Sequence, residues 1–318
     1  MDGPLISVVI PCFNSSCYIG ATLGSLAKQA FTDFEVIIVD DGSSDDSVTV
    51  ARRALEDLKL HGLVMIRPSD LKKGVANCRN AGINAANGQW ISFLDSDDLF
   101  FPEKLMNTVR LIGKFGTSCG AYFHAIREFE DGTHKILAVT SKGSYSQPED
   151  IFSRLMENNI IATSTVTVKS DLLRQLGGFD CKLNGVEDYF LWLRLAKKTT
   201  WFYSGEMWTD YRIRIGSLMG GRQLAHYVLQ NEALYQSARD IKEFSPAELK
   251  VLDTSLFGGA MLGYAHISMT VWGWGDFING LMVLGKIGRL KTAVGLFRVH
   301  FKNLLLKKAH KYILSRFS

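Results

Sequence analysis

The chain has 318 residues, 47% of them hydrophobic and 21% charged, the balance of a globular protein with a packed core in one large domain or two. Its five cysteines (Cys12, Cys17, Cys78, Cys119, Cys181) are odd in number and scattered, with no C-x-x-C and no zinc spacing, which fits free thiols in a reducing cytoplasm. The net charge of +4 is uneven: nine of the 36 Lys and Arg follow Asp276 and no acid does, so the tail is basic, the remainder is net acidic, and the tail points to an acidic partner, membrane or nucleic acid.

No secretory signal is expected, because Met1-Asp2-Gly3-Pro4 leads directly into a strand-like run. Ile6 to Ile10 (ISVVI) is β-branched and closed by Pro11. Tyr18 to Ala30 has helical spacing, with Ile19, Leu23 and Leu26 on one side. Glu35 to Val39 (EVIIV) is a second strand, ending in Asp40-Asp41-Gly42, and Ser44 or Asp45 caps a helix to about Leu60. Leu63 to Ile66 is a third strand, Val75 to Ala86 a helix, and Trp90 to Leu94 (WISFL) a fourth strand. Such alternation implies an α/β fold of Rossmann-like type, a mostly parallel sheet with helices on both faces, and the wholly apolar strands fit a sheet covered on both sides. Residues 100 to 180 mix a helix (Glu103 to Phe115) with strands around His124 and Thr165, and from Gln223 onward the pattern is helical.

The strands end in polar clusters: PCFN after the first, DDGSSD after the second and DSDD after the fourth. In open α/β sheets ligands bind beyond the carboxyl ends of the strands. DDG alone is also a common turn signal, but two acidic clusters at corresponding strand ends point to a site. No G-x-G-x-x-G follows the first strand, and neither G-x-x-x-x-G-K-[ST] nor His-Glu-x-x-His occurs. Asp95, Asp97 and Asp98 crowd three carboxylates into four positions, and that repulsion must be compensated. Carboxylates without His or Cys neighbours suit a hard cation, Mg²⁺ or Mn²⁺, which takes one or two protein carboxylates and completes its shell with water and phosphate oxygens. Asp95 and Asp97 fit that role.

Five stretches (SVVIPCFN, IIVDDGSSDDS, GVANCRNAG, FLDSDD and GGFD…EDYFLWLRLA), in order from about Ile6 to Leu218, resemble glycosyltransferase family 2 with the GT-A fold, of the bacterial cell-surface polysaccharide type. The resemblance implies a GT-A domain over 1–220 and a helical C-terminal region over 221–318. It implies inverting transfer of a sugar from a nucleotide-diphosphate donor, usually a UDP-sugar, to a glycan or lipid-linked hydroxyl. By position it puts Pro11 in the nucleoside pocket, Asp40 and Asp41 at the base, and Arg79 on base or phosphate. The D-x-D motif is matched by Asp95, Ser96 and Asp97, with Asp95 nearer the ribose and Asp97 on the metal, and Asp188 matches the catalytic base. Asp188 opens a segment with Leu191 and Leu195 at helical spacing, where the positive end of the helix dipole favours an ionised carboxylate. Glu187-Asp188 also reads as first-turn capping. One departure stands out: where the family often shows Tyr-Arg-x-His, this chain has Tyr211-Arg212-Ile213-Arg214. Arginine stays protonated and cannot ligate a metal, but it can grip a diphosphate bidentately.

Thr254 to Gly275 is uncharged, long enough to span a membrane yet rich in Gly, so it reads as a buried helix, a hairpin or a span. Residues 286–318 carry an apolar stripe (Leu290, Val294, Phe297, Phe301, Leu304) beside Arg298, Lys302, Lys307, Lys308 and Lys311. That is a basic amphipathic helix for a peripheral contact on the inner face of a membrane, or for packing within a homodimer. Nucleic acid is not expected, since no aromatic and basic groove motif accompanies the charge. Two alternatives stay open: a nucleotidyltransferase, and a non-catalytic nucleotide-sugar-binding scaffold in which Arg214 marks lost catalysis.

Overall fold

A computed structural model describes residues 3–68, 73–139, 143–214, 224–258, 274–289, 291–294 and 296. The chain divides into two compact units, Met1–Leu155 with Asn159–Ser217, and Met156–Asn158 with Leu218–Ser318.

In the first unit β1 (Ile6–Cys12), β2 (Phe34–Asp40), β3 (Gly62–Ile66) and β4 (Trp90–Phe93) are linked by α1 (Ile19–Leu26), α2 (Ser47–Asp57) and α3 (Val75–Ala85). Next come β5 (Leu99–Phe100), α4 (Lys104–Phe115), β6 (Ala121–Glu130), β7 (Ile136–Val139), α5 (Phe152–Glu157), β8 (Thr167–Lys169), α6 (Ser170–Gln175), α7 (Glu187–Ala196) and β9 (Trp201–Ile213). The sheet order is β3-β2-β1-β4-β8-β6-β9-β5, with β7 beside β6. The first four strands are all parallel, as expected, whereas β8 runs antiparallel to both β4 and β6, making the sheet mixed.

β1 and β2 are buried at every position because both faces are covered. Val8 and Ile10 join a core with Ile19, Leu23, Ala51 and Leu55 of α1 and α2. Val9 faces the other way, against α3: a Cβ on Gly82 would lie 2.3 Å from a Val9 methyl, so only glycine permits that approach.

Two boundaries differ from the sequence reading. β1 continues through Pro11 to Cys12, because the donor proline lacks would point to the β4 side, where pairing stops at Val9↔Phe93. The helix expected to reach Leu60 stops at Asp57, since Lys59 turns back with φ 52°. The cap position falls on Asp46 and not on Ser44 or Asp45, though the preceding Asp45 accepts the Ser47 backbone N–H at 3.0 Å and Ser44 N–H donates to Asn14 at 2.8 Å.

The second unit holds α8 (Leu224–Asp240), α9 (Pro246–Phe257) and α10 (Trp274–Lys286). α9 opens with a capping box of Ser245 and Glu248. Arg289 pairs with Glu232 and Asp253 and stacks 3.9 Å over Phe257. Among the described residues no helix is long and apolar enough to cross a membrane. Most of the uncharged run 254–275, and 297–318 of the basic tail, lie outside the described residues.

Candidate active site

The carboxyl ends of β1, β2 and β4 meet on one edge, and β9 brings its C-terminal residues to the same place through its pairing with β5 and β6. Each carboxylate of the DSDD loop has its own partner from the protein. Asp95 accepts from Arg79 Nη2 at 2.8 Å. Asp97 Oδ2 lies 2.9 Å from Arg214 Nε. Asp98 is fully buried and accepts from the Ser164 hydroxyl at 2.5 Å and the Arg212 backbone N–H at 2.9 Å. Burial, then Asp97 and Asp95, hold the Asp98 carboxyl well above the usual carboxylate range. The crowding is thus compensated first by protein groups, which the sequence reading assigned to a metal alone.

Burial and the nearby Asp95 also push the Asp97 carboxyl up despite Arg214, so positive charge remains short there. Among the described residues no group of three or more His, Cys, Asp or Glu is arranged to hold a metal unaided. Asp97, with Asp95 beside it, suits a hard cation that draws its other ligands from water and phosphate.

Arg79 is 4% exposed and spans two elements: Nη2 on Asp95 and Nη1 on Glu187 at 3.0 Å. Its two terminal nitrogens join the DSDD loop to α7 through internal carboxylates. The two carboxylates raise its pKa against the effect of its burial.

Asp188 stands in the first turn of α7, whose body is fixed by Leu191, Trp192 and Leu195, all buried. Trp192 lies edge-on to Phe179 and Trp201, at 5.9 Å and 5.8 Å. The Thr163 hydroxyl donates to Asp188 Oδ2 at 3.0 Å and the Tyr189 N–H to Oδ1 at 2.6 Å. Burial, then the charge of Glu187, push the Asp188 pKa up to about 6, against Arg79 and these hydrogen bonds. Desolvation and a like charge thus raise this carboxyl although it stands at the positive end of the helix dipole.

The base-site residues are placed as follows. Asp40 is spent on its own turn, accepting from Gly42 N–H at 3.0 Å, Ser43 N–H at 2.9 Å and the Ser43 hydroxyl at 2.5 Å, with Gly42 at φ 75°. Asp41 pairs with Arg67 and accepts from Gly74 N–H at 2.6 Å. Pro11 is buried inside β1, while Phe13 beyond it is 49% exposed, with Lys73 Nζ 4.6 Å over its ring. The Ser96 hydroxyl shares a 2.8 Å hydrogen bond with Ser15.

Several residues escaped the sequence reading. Thr163 and Ser164 tie Asp188 to the DSDD loop; their signal was only a run of hydroxyl residues (Thr163, Ser164, Thr165) with distant partners. Arg212 donates to the Asp97 carbonyl at 2.8 Å and to Asp131 at 3.0 Å, and Asp131 also accepts from Tyr18 at 2.9 Å. Arg212 and Arg214, two apart at the end of β9, share a face, which strand alternation signals once the strand is known. The family motif continues into 215–223, which lie outside the described residues.

A parallel sheet flanked by helices, with carboxylates at its carboxyl edge and an antiparallel extension, is the architecture of GT-A transferases. The Glycosyl transferase family 2 model matches residues 7–176, over half of the chain, and the chain belongs to that family. S. aureus TarS residues 1–349 in complex with UDP-GlcNAc superimposes with a TM-score of 0.68 at 18% identity, covering 94% of this chain and 92% of that one. An Escherichia coli UDP-Glc:alpha-D-GlcNAc-diphosphoundecaprenol beta-1,3-glucosyltransferase, WfgD, is 30% identical over 62% of this chain and 72% of its own length. An uncharacterized glycosyltransferase of Rickettsia prowazekii is 25% identical over 66% of this chain, and the match spans 64% of that relative, under two thirds of its length.

Proposed function

We propose that the chain is an inverting glycosyltransferase of hexosyltransferase type, moving a sugar from a UDP-sugar to a hydroxyl of a glycan or lipid-linked acceptor in cell-surface polysaccharide synthesis. The observation that carries this reading is the placement of Asp188: a carboxyl in the first turn of α7, tied through Thr163 and Ser164 to the acidic loop, its pKa pushed up to about 6 by burial and Glu187. A general base works best with a pKa near the operating pH.

In this mechanism the acceptor hydroxyl attacks the anomeric carbon while its proton passes to the Asp188 carboxylate, and the bond from that carbon to the diphosphate oxygen breaks. Attack opposite the leaving group inverts the centre. Thr163 and Tyr189 N–H hold the carboxylate in place. Arg214 supplies positive charge to the departing diphosphate. Asp97, with Asp95, would hold Mg²⁺ or Mn²⁺, which when bound neutralises charge on the diphosphate. Phe13 offers a ring face to the base.

The donor reading is supported by the UDP-GlcNAc complex of TarS, and the acceptor reading by the lipid-linked substrate in the name of WfgD. A mannosyltransferase from Pyrobaculum calidifontis in complex with GDP-Man and Mn²⁺, with a TM-score of 0.57 at 19% identity, supports the cation. Catalysis within 1–220 and a helical region over 221–318 that reaches an anionic membrane surface through 286–318 belong to the same proposal. So do a location on the cytoplasmic side and a homodimer built through the helices.

The direct test is Asp188→Asn, assayed against UDP-sugars with lipid-diphosphate-linked acceptors. Transfer falls by at least about a thousandfold while UDP binding is kept. Normal turnover by this variant removes Asp188 from the mechanism, and UDP binding without transfer in the unaltered protein favours the scaffold reading.

A further inference from the structure

Three arginines meet the acidic loop, and only one is loosely held. Arg79 is fixed by two carboxylates. Arg212 is fixed by the Asp97 carbonyl and Asp131, with its guanidinium 4.6 Å over Phe129. Among the described residues Arg214 has one ion pair, Nε at 2.9 Å from Asp97 Oδ2, in which the buried Nε makes no hydrogen bond, and it also bears on the Tyr18 hydroxyl. Its side chain is 32% exposed, and the guanidinium rests 5.1 Å over the Tyr18 ring, which the Asp131 hydrogen bond holds still.

We propose that Arg214 is an exchangeable counter-ion. It occupies Asp97 while the site lacks nucleotide, and it transfers to the diphosphate when donor binds, freeing Asp97 for a divalent cation. This rests on the reading of the site as a nucleotide-diphosphate site. A guanidinium and a metal ion compete for the charge of the same carboxylate. A diphosphate offers the planar guanidinium two aligned acceptors in place of one ion pair without a hydrogen bond, and bidentate phosphate contacts are among its strongest. The metal site of this chain is therefore masked by its own arginine, and nucleotide unmasks it. Coupling of this kind is reciprocal: whatever displaces Arg214 from Asp97 favours the metal, and metal on Asp97 favours Arg214 on phosphate.

The test uses the full chain and follows free Mn²⁺ by electron paramagnetic resonance, without nucleotide and with saturating UDP. Diphosphate ligation by itself also tightens a metal, so the decisive comparison is the nucleotide-free one. Arg214→Gln keeps the size and polarity of the side chain, and Arg214→Ala provides a second form; thermal melting checks that both fold. Without UDP the variants bind Mn²⁺ about tenfold more tightly than the unaltered protein, and they bind UDP in EDTA about tenfold more weakly. Equal nucleotide-free Mn²⁺ affinity in all three proteins, tight or undetectable, overturns the proposal. Failure of every form to bind UDP contradicts the functional reading instead, while the Mn²⁺ comparison still decides the exchange.

Discussion

Asp188 sets the pH response. Its folded-state pKa of about 6 lies above the ordinary carboxylate value, so the base is ionised above about pH 6 and protonated below it. Transfer should therefore fall as pH drops through about 6, reported by kcat/KM against pH. Thr163→Val removes a hydrogen bond that favours the ionised form, and should move that acid limb upward by up to about one unit. An unmoved limb would mean that another group titrates. The raised pKa also means that folding favours the protonated form here, so this carboxyl costs stability at neutral pH, and that cost is relieved as pH falls from about 6 towards the ordinary carboxylate value. The positions of Asp97 and Asp188, at a strand end and a helix start, were legible in the sequence because charged motifs there are conspicuous. Thr163 and Ser164 were not, since uncharged hydroxyls show no purpose until folding brings them to carboxylates far along the chain.

Between elements, two buried cations act in opposite senses. Arg79 joins the β4–β5 loop to α7 through two carboxylates. Arg79→Leu leaves Glu187, also buried, without that partner, and should lower stability by about 3–5 kcal/mol, measured by thermal or urea unfolding. Lys104 is wholly buried under β4 and β8, bonded to the Ser92 and Thr167 hydroxyls, with no carboxylate among those partners. Burial lowers its pKa to about 7. The unfolded chain then holds more protons between about pH 7 and the ordinary lysine value, so stability from this group is present above that range and lost as pH falls through it. Lys104→Met should raise the melting temperature at pH 7, with an advantage that shrinks towards pH 10; a variant less stable at every pH would show that the hydrogen bonds outweigh the charge. Strand and helix identity along the first hundred residues was legible because periodicity and apolar runs report burial directly. The antiparallel β8 and the pairing of β6 with β9 were not, because nothing in a short apolar run states its neighbour or direction.

At the scale of the chain, the sheet brings the ends of β1, β2, β4 and β9 to one edge, and acidic clusters occupy two of them, after β2 and β4. The order of the five motifs made the family legible, and the fold follows it. The sequence did not show the protein groups that meet the three clustered carboxylates, because charge partners across a sheet edge are set by packing: Arg79 from α3, Arg212 and Arg214 from the end of β9. The central claim is that this edge binds a nucleotide diphosphate. Calorimetric titration of UDP into the full chain, with GDP and CMP as controls and with Mn²⁺ or EDTA present, tests it most directly. UDP should bind in preference to the controls and more tightly with Mn²⁺ than with EDTA; no binding of any nucleotide in the presence of Mn²⁺ would contradict the account.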